Sequence, residues 1–295
     1  MSSPKVTVII PTLNAGNFLH RLLENLLSQT KTPDEIIVID SESDDDTCAI
    51  AEKTRGIKLI RIKRQNFNHG TTRRFATSQS HGDYILFTTQ DALPVDNNYI
   101  KAIIEPFTKD DKIAVVSGRQ IAWADASAIQ KHIRNFNYPS YEYVRSLSDL
   151  PKHGMKTFFL SDVCSAYRKD IYDELGGHDA TIFGEDMLFA AKSINAGYKL
   201  AYTPEAKIYH SHNYSLNDEY RRNYLDGYVR EIFKDTLHNS SVTEEGKKLF
   251  CYVVCNLLKE QKTLECLHFQ LICLAKYLGN IKGRHIARMQ MKGCH

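Results

Sequence analysis

Residues 5–40, KVTVIIPTLNAGNFLHRLLENLLSQTKTPDEIIVID, contain two apolar runs separated by a helical pattern. Lys5 to Ile10 is rich in β-branched residues and is closed by Pro11, and leucines then recur at helical spacing through residue 27. Glu35 to Asp40 is a second apolar run that ends in an acidic residue. Continuous apolar strands that alternate with helices indicate a parallel sheet covered on both faces. The stretch therefore predicts an α/β fold.

The same alternation continues along the chain. Further strands are predicted at residues 58–62, 84–88, 113–117, 158–167 and 199–202. Further helices are predicted at residues 47–53, 71–80, 98–107, 169–175 and 185–195. From about Asn217 the pattern is helical only, so we expect a main domain over residues 1–215 and a helical C-terminal extension over residues 216–295.

Composition excludes several classes of protein. Lys and Arg total 38 against 35 Asp and Glu, a formal net charge of +3 that gives no electrostatic reason to expect a nucleic-acid partner. No run approaches the roughly 20 apolar residues that span a bilayer, and the N-terminus lacks the pattern of a leader peptide. We therefore expect a cytoplasmic protein. Its seven cysteines include no CxxC pair, which favours reduced thiols.

Polar residues follow the predicted strands, at the sheet edge where α/β proteins bind ligands. Thr12 and Asn14 follow the first strand, Asp40 and Ser41 end the second, and Gln90 and Asp91 end the fourth. A carboxylate such as Asp40 can accept hydrogen bonds from a nucleotide base or ribose. For the aspartates at 44–46 we favour a structural role over ligand binding, because acidic residues cap and stabilise a helix N-terminus and a helix is predicted to follow at residues 47–53.

A basic segment spans the start of the third predicted helix. His69, Gly70 and Arg73 lie there, and arginine suits the binding of phosphate. The alternative is a solvated cationic helix face, which applies most to Arg74. Asp91 could contribute to a site for a divalent cation that also binds the phosphates of a ligand. Taken by itself, it could equally be a structural carboxylate.

Two later clusters have the residue types of a reaction centre. Glu185 and Asp186 begin a predicted helix, where one could act as a general base, or both could simply stabilise the helix dipole. His210 and His212 alternate in an extended segment and so point to one side. Either could ligate a metal or be a structural histidine.

The order of these motifs resembles that of the inverting family 2 glycosyltransferases, and in particular their bacterial rhamnosyltransferase branch. The resemblance covers about residues 5–215. It rests on four segments: VTVIIPTLNAGNFL, DEIIVIDSESDDDT, HGTTRRFATSQSHGDYILFTTQDALP and FGEDMLFAAKSINAGYKLAYTPEAKIYHSH. It implies the GT-A fold, which is Rossmann-like with a mostly parallel sheet flanked by helices.

The resemblance also implies a site and a reaction. Asp186, rather than Glu185, would deprotonate an acceptor hydroxyl, while Asp91 and His210 would hold Mg²⁺ or Mn²⁺. The family usually has Asp-X-Asp at the metal turn, whereas this chain has Thr89 at the first position. The implied donor-binding residues are Pro11, Thr12, Asn14, Asp40, Ser41, His69, Gly70, Arg73, Gln90 and Asp91.

The implied donor is dTDP-L-rhamnose. The implied acceptor is a saccharide or a polyprenyl-diphosphate-linked saccharide used for O-antigen or capsule synthesis. Basic residues lie among apolar ones in the C-terminal segment 249–295. They suggest peripheral contact with the inner face of the cell membrane, and the alternatives are a helical dimer face or a cover for the core.

Two other functions fit a sheet of this kind. A non-catalytic binding or scaffold protein would account for the altered Asp-X-Asp. A sugar nucleotidyltransferase would need a glycine-rich opening loop with a lysine, which residues 8–16, VIIPTLNAG, do not contain.

Overall fold

The first part of the chain forms the predicted parallel sheet. The computed structural model describes residues 3–238, residue 240 and residues 243–293. Its first elements are β1 (Val6–Thr12), α1 (Gly16–Leu27), β2 (Glu35–Asp40), α2 (Thr47–Lys53), β3 (Ile57–Arg61), α3 (His69–Ser78) and β4 (Tyr84–Thr88). The strands lie in the order β3-β2-β1-β4, and every neighbouring pair among them is parallel.

Burial of leucines explains why α1 lies on this sheet. Leu19, Leu22, Leu23 and Leu26 share one face of the helix and are fully buried against β1 and β2 residues such as Val8. Each such side chain contributes about 1.5–3 kcal/mol relative to an exposed position. The periodicity read from the sequence therefore corresponds to the packed face of α1.

The second part of the chain extends the sheet with mixed pairing. Its elements are β5 (Leu93–Pro94), α4 (Tyr99–Ile104), β6 (Ile113–Ile121), α5 (Ala128–Asn137), β7 (Tyr143–Arg145), α6 (Leu150–His153), β8 (Cys164–Arg168), α7 (Lys169–Glu174), α8 (Glu185–Asn195) and β9 (Lys199–Tyr209). The order continues β4-β8-β6-β9-β5, and β7 also pairs with β9. Only β6 and β9 are parallel here, so the complete sheet is mixed.

Some predicted boundaries in this part are wrong. The strand predicted from Phe158 begins at Cys164, because the preceding residues form a 3₁₀ helix at Gly154–Phe158. Conversely, the strand predicted to end at residue 202 continues, as β9, through Pro204 to Tyr209. Pro204 lies in a bulge, between the pairs Gly118–Thr203 and Arg119–Lys207. Because regular sheet pairing is interrupted there, the proline is tolerated although it has no backbone N–H to donate.

Three helices form the C-terminal part: α9 (Leu216–Ile232), α10 (Thr243–Lys259) and α11 (Thr263–Gly293). The side chains of Ser215 and Asp218 form a capping box at the start of α9, next to the boundary predicted from sequence. Helices α9 and α11 pack so closely that a Cβ on Gly283 would overlap the backbone of Tyr224. Val229 of α9 also belongs to a buried cluster with residues of the sheet.

The helices and the cysteines bear on membrane spanning and on disulfide bonding. Within the described ranges, no helix is long and apolar enough to cross a bilayer. Cys48, Cys164, Cys251, Cys255, Cys266 and Cys273 are free thiols. Cys294 and His295, at the end of the predicted tail, lie outside the described residues.

Candidate active site

Asp40 lies at the carboxyl edge of the parallel strands, opposite Thr12 in the register of β1 and β2. Its carboxylate is buried and accepts hydrogen bonds from Thr12 Oγ1 (3.0 Å), the Ser43 amide (2.9 Å) and Cys48 Sγ (3.2 Å). Burial raises the pKa of Asp40, but the bonds from Ser43, Cys48 and Thr12 outweigh burial and lower it overall. Asp40 is thus an ionised group that organises the loop after β2.

The loop after β1 is held by side chains from two neighbouring loops. Asn14 has φ 53°, its amide donates to Ser43 Oγ (2.8 Å), and its side-chain oxygen accepts from the Asp44 amide (2.8 Å). Gln90 accepts from the Leu13 amide (2.7 Å) and donates to the Leu13 carbonyl (3.0 Å). Asn14 and Gln90 therefore fix the backbone of this loop.

Pro11 and Ser41 complete this edge. Pro11 is half-buried in β1, and the Ser41 amide donates to the Thr12 carbonyl (3.0 Å). The Ser41 hydroxyl is buried without a hydrogen-bond partner. Asp45 accepts from the Gly16 amide at the start of α1 (2.9 Å) and from the Thr47 amide at the start of α2 (3.0 Å), although the N-cap residue of α2 is Asp46, whose side chain makes no capping hydrogen bond.

Asp91 lies beside both histidines that follow β9. Asp91 Oδ2 is 2.9 Å from His212 Nε2 and 3.5 Å from His210 Nε2. The three ligand atoms lie within 4.8 Å of one another, which makes them a potential metal-binding group. Burial raises the pKa of Asp91, but hydrogen bonds from His210 and His212 outweigh it and hold the pKa well below its ordinary value. The carboxylate is therefore ionised.

Gln120 sets the orientation of His210. The Nδ1 atom of His210 lies 3.0 Å from Gln120 Oε1. Nδ1 also lies 3.4 Å from Arg134 Nη2, which can only donate, whereas the Gln120 oxygen can only accept. The tautomer with its proton on Nδ1, directed to Gln120, is the one that leaves the Nε2 lone pair for a metal. Burial lowers the pKa of His210, although Asp91 opposes that effect. A neutral imidazole with a free Nε2 is the form that ligates metals.

Glu185 and Asp186 begin α8, as the sequence predicts. Asp186 Oδ1 accepts from the Met187 amide (2.7 Å), and Oδ2 accepts from the Asp162 amide (3.2 Å). Burial, followed by the negative charges of Glu185 and Asp162, raises the pKa of Asp186 well above its ordinary value. A raised pKa is the environment that makes a carboxylate an effective general base near neutral pH.

Arg73 and Gly70 do not occupy the positions expected of phosphate ligands. Arg73 is only 4% exposed, and its guanidinium pairs with Asp162 (3.2 Å) and Glu185 (2.9 Å). A buried guanidinium needs such carboxylates, so its charge is already neutralised. Gly70 is required for packing, because a Cβ there would overlap the carbonyl oxygen of Asp179. His69 remains half-exposed, 3.9 Å from Glu185.

Asp162 is a buried residue that the sequence analysis missed. Besides Arg73, it contacts Ser165 Oγ (2.8 Å) and His178 Nε2 (3.3 Å). Burial lowers the pKa of His178 to about 3, so the imidazole is neutral. No motif marked Asp162, because the carboxylate lies in a loop and its charged partner, Arg73, comes from a distant part of the chain.

Comparisons with known proteins show which family the chain belongs to. Residues 7–176 match the model of the family described as glycosyl transferase family 2. The chain is 44% identical to the O-antigen chain rhamnosyltransferase RfbN of Salmonella typhimurium, over 98% of this chain and 93% of that protein. It is 40% identical to the O-antigen chain rhamnosyltransferase WbaN of Salmonella anatum, over 99% of this chain and 93% of that protein.

Two solved structures share the fold at 16% sequence identity. One is the mannosyltransferase PcManGT from Pyrobaculum calidifontis in complex with GDP-Man and Mn²⁺, with a TM-score of 0.62 over 97% of this chain and 87% of that chain. The other is S. aureus TarS 1-349, with a TM-score of 0.59 over 98% of this chain and 92% of that chain. These likenesses confirm the GT-A fold class expected from the sequence. The chain belongs to glycosyl transferase family 2.

Proposed function

We propose that this family 2 glycosyltransferase moves L-rhamnose from dTDP-L-rhamnose to a hydroxyl of a saccharide or polyprenyl-diphosphate-linked saccharide, with inversion, in O-antigen or capsule synthesis. The site observation that carries the proposal is the convergence of Asp91, His210 and His212, in a fold that also holds a carboxylate of raised pKa at Asp186. Support for rhamnose comes from RfbN and WbaN, both named O-antigen chain rhamnosyltransferases.

In the proposed reaction, Asp186 takes the proton of the acceptor hydroxyl. The acceptor oxygen forms a bond to the anomeric carbon as the bond from that carbon to the diphosphate oxygen breaks. The nucleoside diphosphate leaves, and the proton remains on Asp186. Base catalysis of this kind contributes about 10²–10⁴-fold to the rate. Backbone amides of Asp162 and Met187 hold the Asp186 carboxylate in place for this step.

The residues present fit a divalent cation. Asp91, His210 and His212 supply one carboxylate and two imidazole nitrogens, and Gln120 orients one of the imidazoles. Because Mg²⁺ prefers oxygen ligands, the two imidazoles favour Mn²⁺ over Mg²⁺. When bound, such an ion stabilises negative charge on the departing diphosphate.

We propose that the nucleotide lies along the carboxyl edge of β1 and β2. Thr12, Asp40 and the unpaired hydroxyl of Ser41 offer polar groups there. Asn14 and Gln90 shape the backbone beside Pro11, and Arg73 and Gly70 act through packing. His69 is proposed to face the donor from the α3 side, since half of its side chain is exposed.

We further propose that residues 216–295 form an extension that holds the enzyme against the inner face of the cell membrane. Its helix α11 leaves Leu264, Leu267, Leu271, Leu274, Leu278 and Ile281 46–80% exposed, and Lys282, His285 and Lys292 are exposed beyond them. An apolar row followed by basic residues fits an anionic lipid surface. Sedimentation with anionic vesicles should show binding that weakens with salt. Absence of binding at low salt, or a stable dimer that covers the leucines, would contradict this contact.

The donor is tested by thermal shift with dTDP-, UDP- and GDP-sugars, with and without Mn²⁺ or Mg²⁺. Selective stabilisation by dTDP-L-rhamnose, stronger with Mn²⁺ and absent in Asp91→Ala, is the expected result. Stabilisation by a UDP- or GDP-sugar instead would overturn the assignment of dTDP-L-rhamnose as the donor. Binding without transfer or hydrolysis would favour a scaffold protein.

A further inference from the structure

The proposed reaction leaves negative charge on a diphosphate, next to a metal-binding group that includes the carboxylate of Asp91. The arginine expected to bind phosphate, Arg73, is already paired with Asp162 and Glu185. A positively charged side chain that pairs with no carboxylate would therefore offset the charge of the diphosphate, in addition to a bound metal ion. Such a side chain needs to lie near both the metal-binding group and the base.

Arg222 of α9 occupies that position. Its guanidinium carbon lies 4.7 Å from the ring centre of Tyr214 and 5.3 Å from that of Phe183. Tyr214 in turn packs against His212, with ring centres 4.9 Å apart. Phe183 is two residues before Glu185, at the start of the acidic pair. Arg222 thus lies between the segment that bears the metal-binding histidines and the segment that bears the base.

The guanidinium is also free to bind. Arg222 is exposed, and no carboxylate among the described residues lies within ion-pair distance of it. The nearby Asp218 is used by the start of α9, where it accepts hydrogen bonds from the Ser215 amide (3.2 Å) and hydroxyl (2.6 Å). The two aromatic rings orient the planar guanidinium without consuming its N–H donors.

The electrostatic surroundings of His69 agree with this position. Burial lowers the pKa of His69, and the positive charges of Arg73 and Arg222 lower it further, against the opposing effect of Glu185. The charge of Arg222 therefore reaches the α3 side of the cleft as well as the side with the histidines.

We propose that Arg222 binds the diphosphate of the nucleotide and stabilises its charge as it leaves, so that the C-terminal extension supplies part of the reaction centre. Guanidinium N–H groups match pairs of phosphate oxygens in geometry and charge. This inference rests on the proposed glycosyl transfer, but it does not depend on which sugar or base the donor carries.

The test is calorimetric titration of the full chain with dTDP, UDP and GDP in the presence of Mn²⁺, and with the matching nucleosides. The variants are Arg222→Gln, Arg222→Lys and the neighbouring control Arg221→Gln. For the tightest nucleoside diphosphate, Arg222→Gln should weaken binding by roughly 10- to 100-fold, as expected for loss of a charged hydrogen bond. Arg222→Lys should recover part of the loss, while Arg221→Gln should bind like the wild type. Nucleoside binding should be the same in all four proteins.

Three results would overturn the role of Arg222. One is unchanged diphosphate binding in Arg222→Gln, and a second is an equal loss in Arg221→Gln. The third is parallel loss of nucleoside binding, which would indicate a local structural effect. If the wild type prefers UDP or GDP to dTDP, the donor proposal fails, but the comparison of variants still decides the role of Arg222. Binding of no nucleoside diphosphate at all would overturn both.

Discussion

The Nε2 atoms of His210 and His212 lie 3.0 Å apart, and both face the carboxylate of Asp91. Two imidazole nitrogens at this separation either share one proton or bind a common cation. Gln120 Oε1 can accept the proton of His210 Nδ1, and in that tautomer the Nε2 lone pair is directed to the centre. This relationship is the basis of the predicted metal site.

Loss of either histidine should weaken Mn²⁺ binding. We expect His210→Ala and His212→Ala each to reduce the affinity by more than the roughly 10- to 100-fold that is typical when only an outer-shell partner is lost. Titration monitored by the electron paramagnetic resonance of free Mn²⁺ measures this directly. His20→Ala is the control, because His20 is an exposed residue of α1 that pairs with Glu24 on the same helix. Equal Mn²⁺ affinity in all three variants would show that the two histidines do not bind the metal.

Gln120 should matter for the metal although it lies outside the predicted ligand set. Gln120→Leu removes the acceptor for His210 Nδ1 and should lower Mn²⁺ affinity by about 10- to 100-fold. Gln120→Glu retains an acceptor at the same place and should bind Mn²⁺ more tightly than Gln120→Leu. The same titration compares them, and identical affinities in the two variants would contradict the orienting role.

Asp186 should control the pH dependence of transfer. Because burial and the charges of Glu185 and Asp162 raise its pKa, the ionised base becomes more abundant as pH rises through that raised pKa, and kcat/KM should rise with it. Glu185→Gln removes one negative neighbour and so lowers the pKa of Asp186. The rise of kcat/KM with pH should therefore occur at lower pH in this variant. Asp186→Asn should reduce kcat by about 10²–10⁴-fold. An unchanged pH profile of kcat/KM in Glu185→Gln would contradict the assignment of Asp186 as the base.

The contact between α9 and α11 should be intolerant of one added methyl group. Gly283→Ala would place a Cβ against the backbone of Tyr224 and should cost about 1–3 kcal/mol in the free energy of unfolding. Gly246→Ala is the matched control, because nothing lies within 4 Å of a Cβ in that part of α10. Since alanine favours a helix over glycine by about 0.5–1 kcal/mol, the control should stabilise the protein. Urea unfolding measures both, and equal effects would contradict the packing.

Much of the fold could be predicted because its first half obeys local rules. Strands β2 and β4 are apolar runs with clear ends, and the leucines of α1 recur at helical spacing, so burial and periodicity coincide. The later pairings depend on distant segments. Strand β8, for example, lies between β4 and β6, and nothing in the residues 164–168 records its antiparallel direction.

Part of the candidate site was predictable through the resemblance to the family rather than from local rules. Asp91 and His210 were predicted as a metal-binding pair, and the structure brings them to 3.5 Å. The environment of Arg73 was not predictable, because Asp162 lies 89 positions away and no local pattern announces a buried ion pair. Arg222 likewise lies in a helix assigned to the extension, and only folding brings it to Tyr214 and Phe183.

Inverting rhamnosyl transfer with Asp186 as the base is tested by incubation of the enzyme with dTDP-L-rhamnose, Mn²⁺ and lipid-linked saccharide acceptors, followed by NMR of the new glycosidic bond. We expect a rhamnoside whose anomeric configuration is opposite to that of the donor, with almost no product from Asp186→Asn. Retained configuration, or full activity in Asp186→Asn, would contradict it.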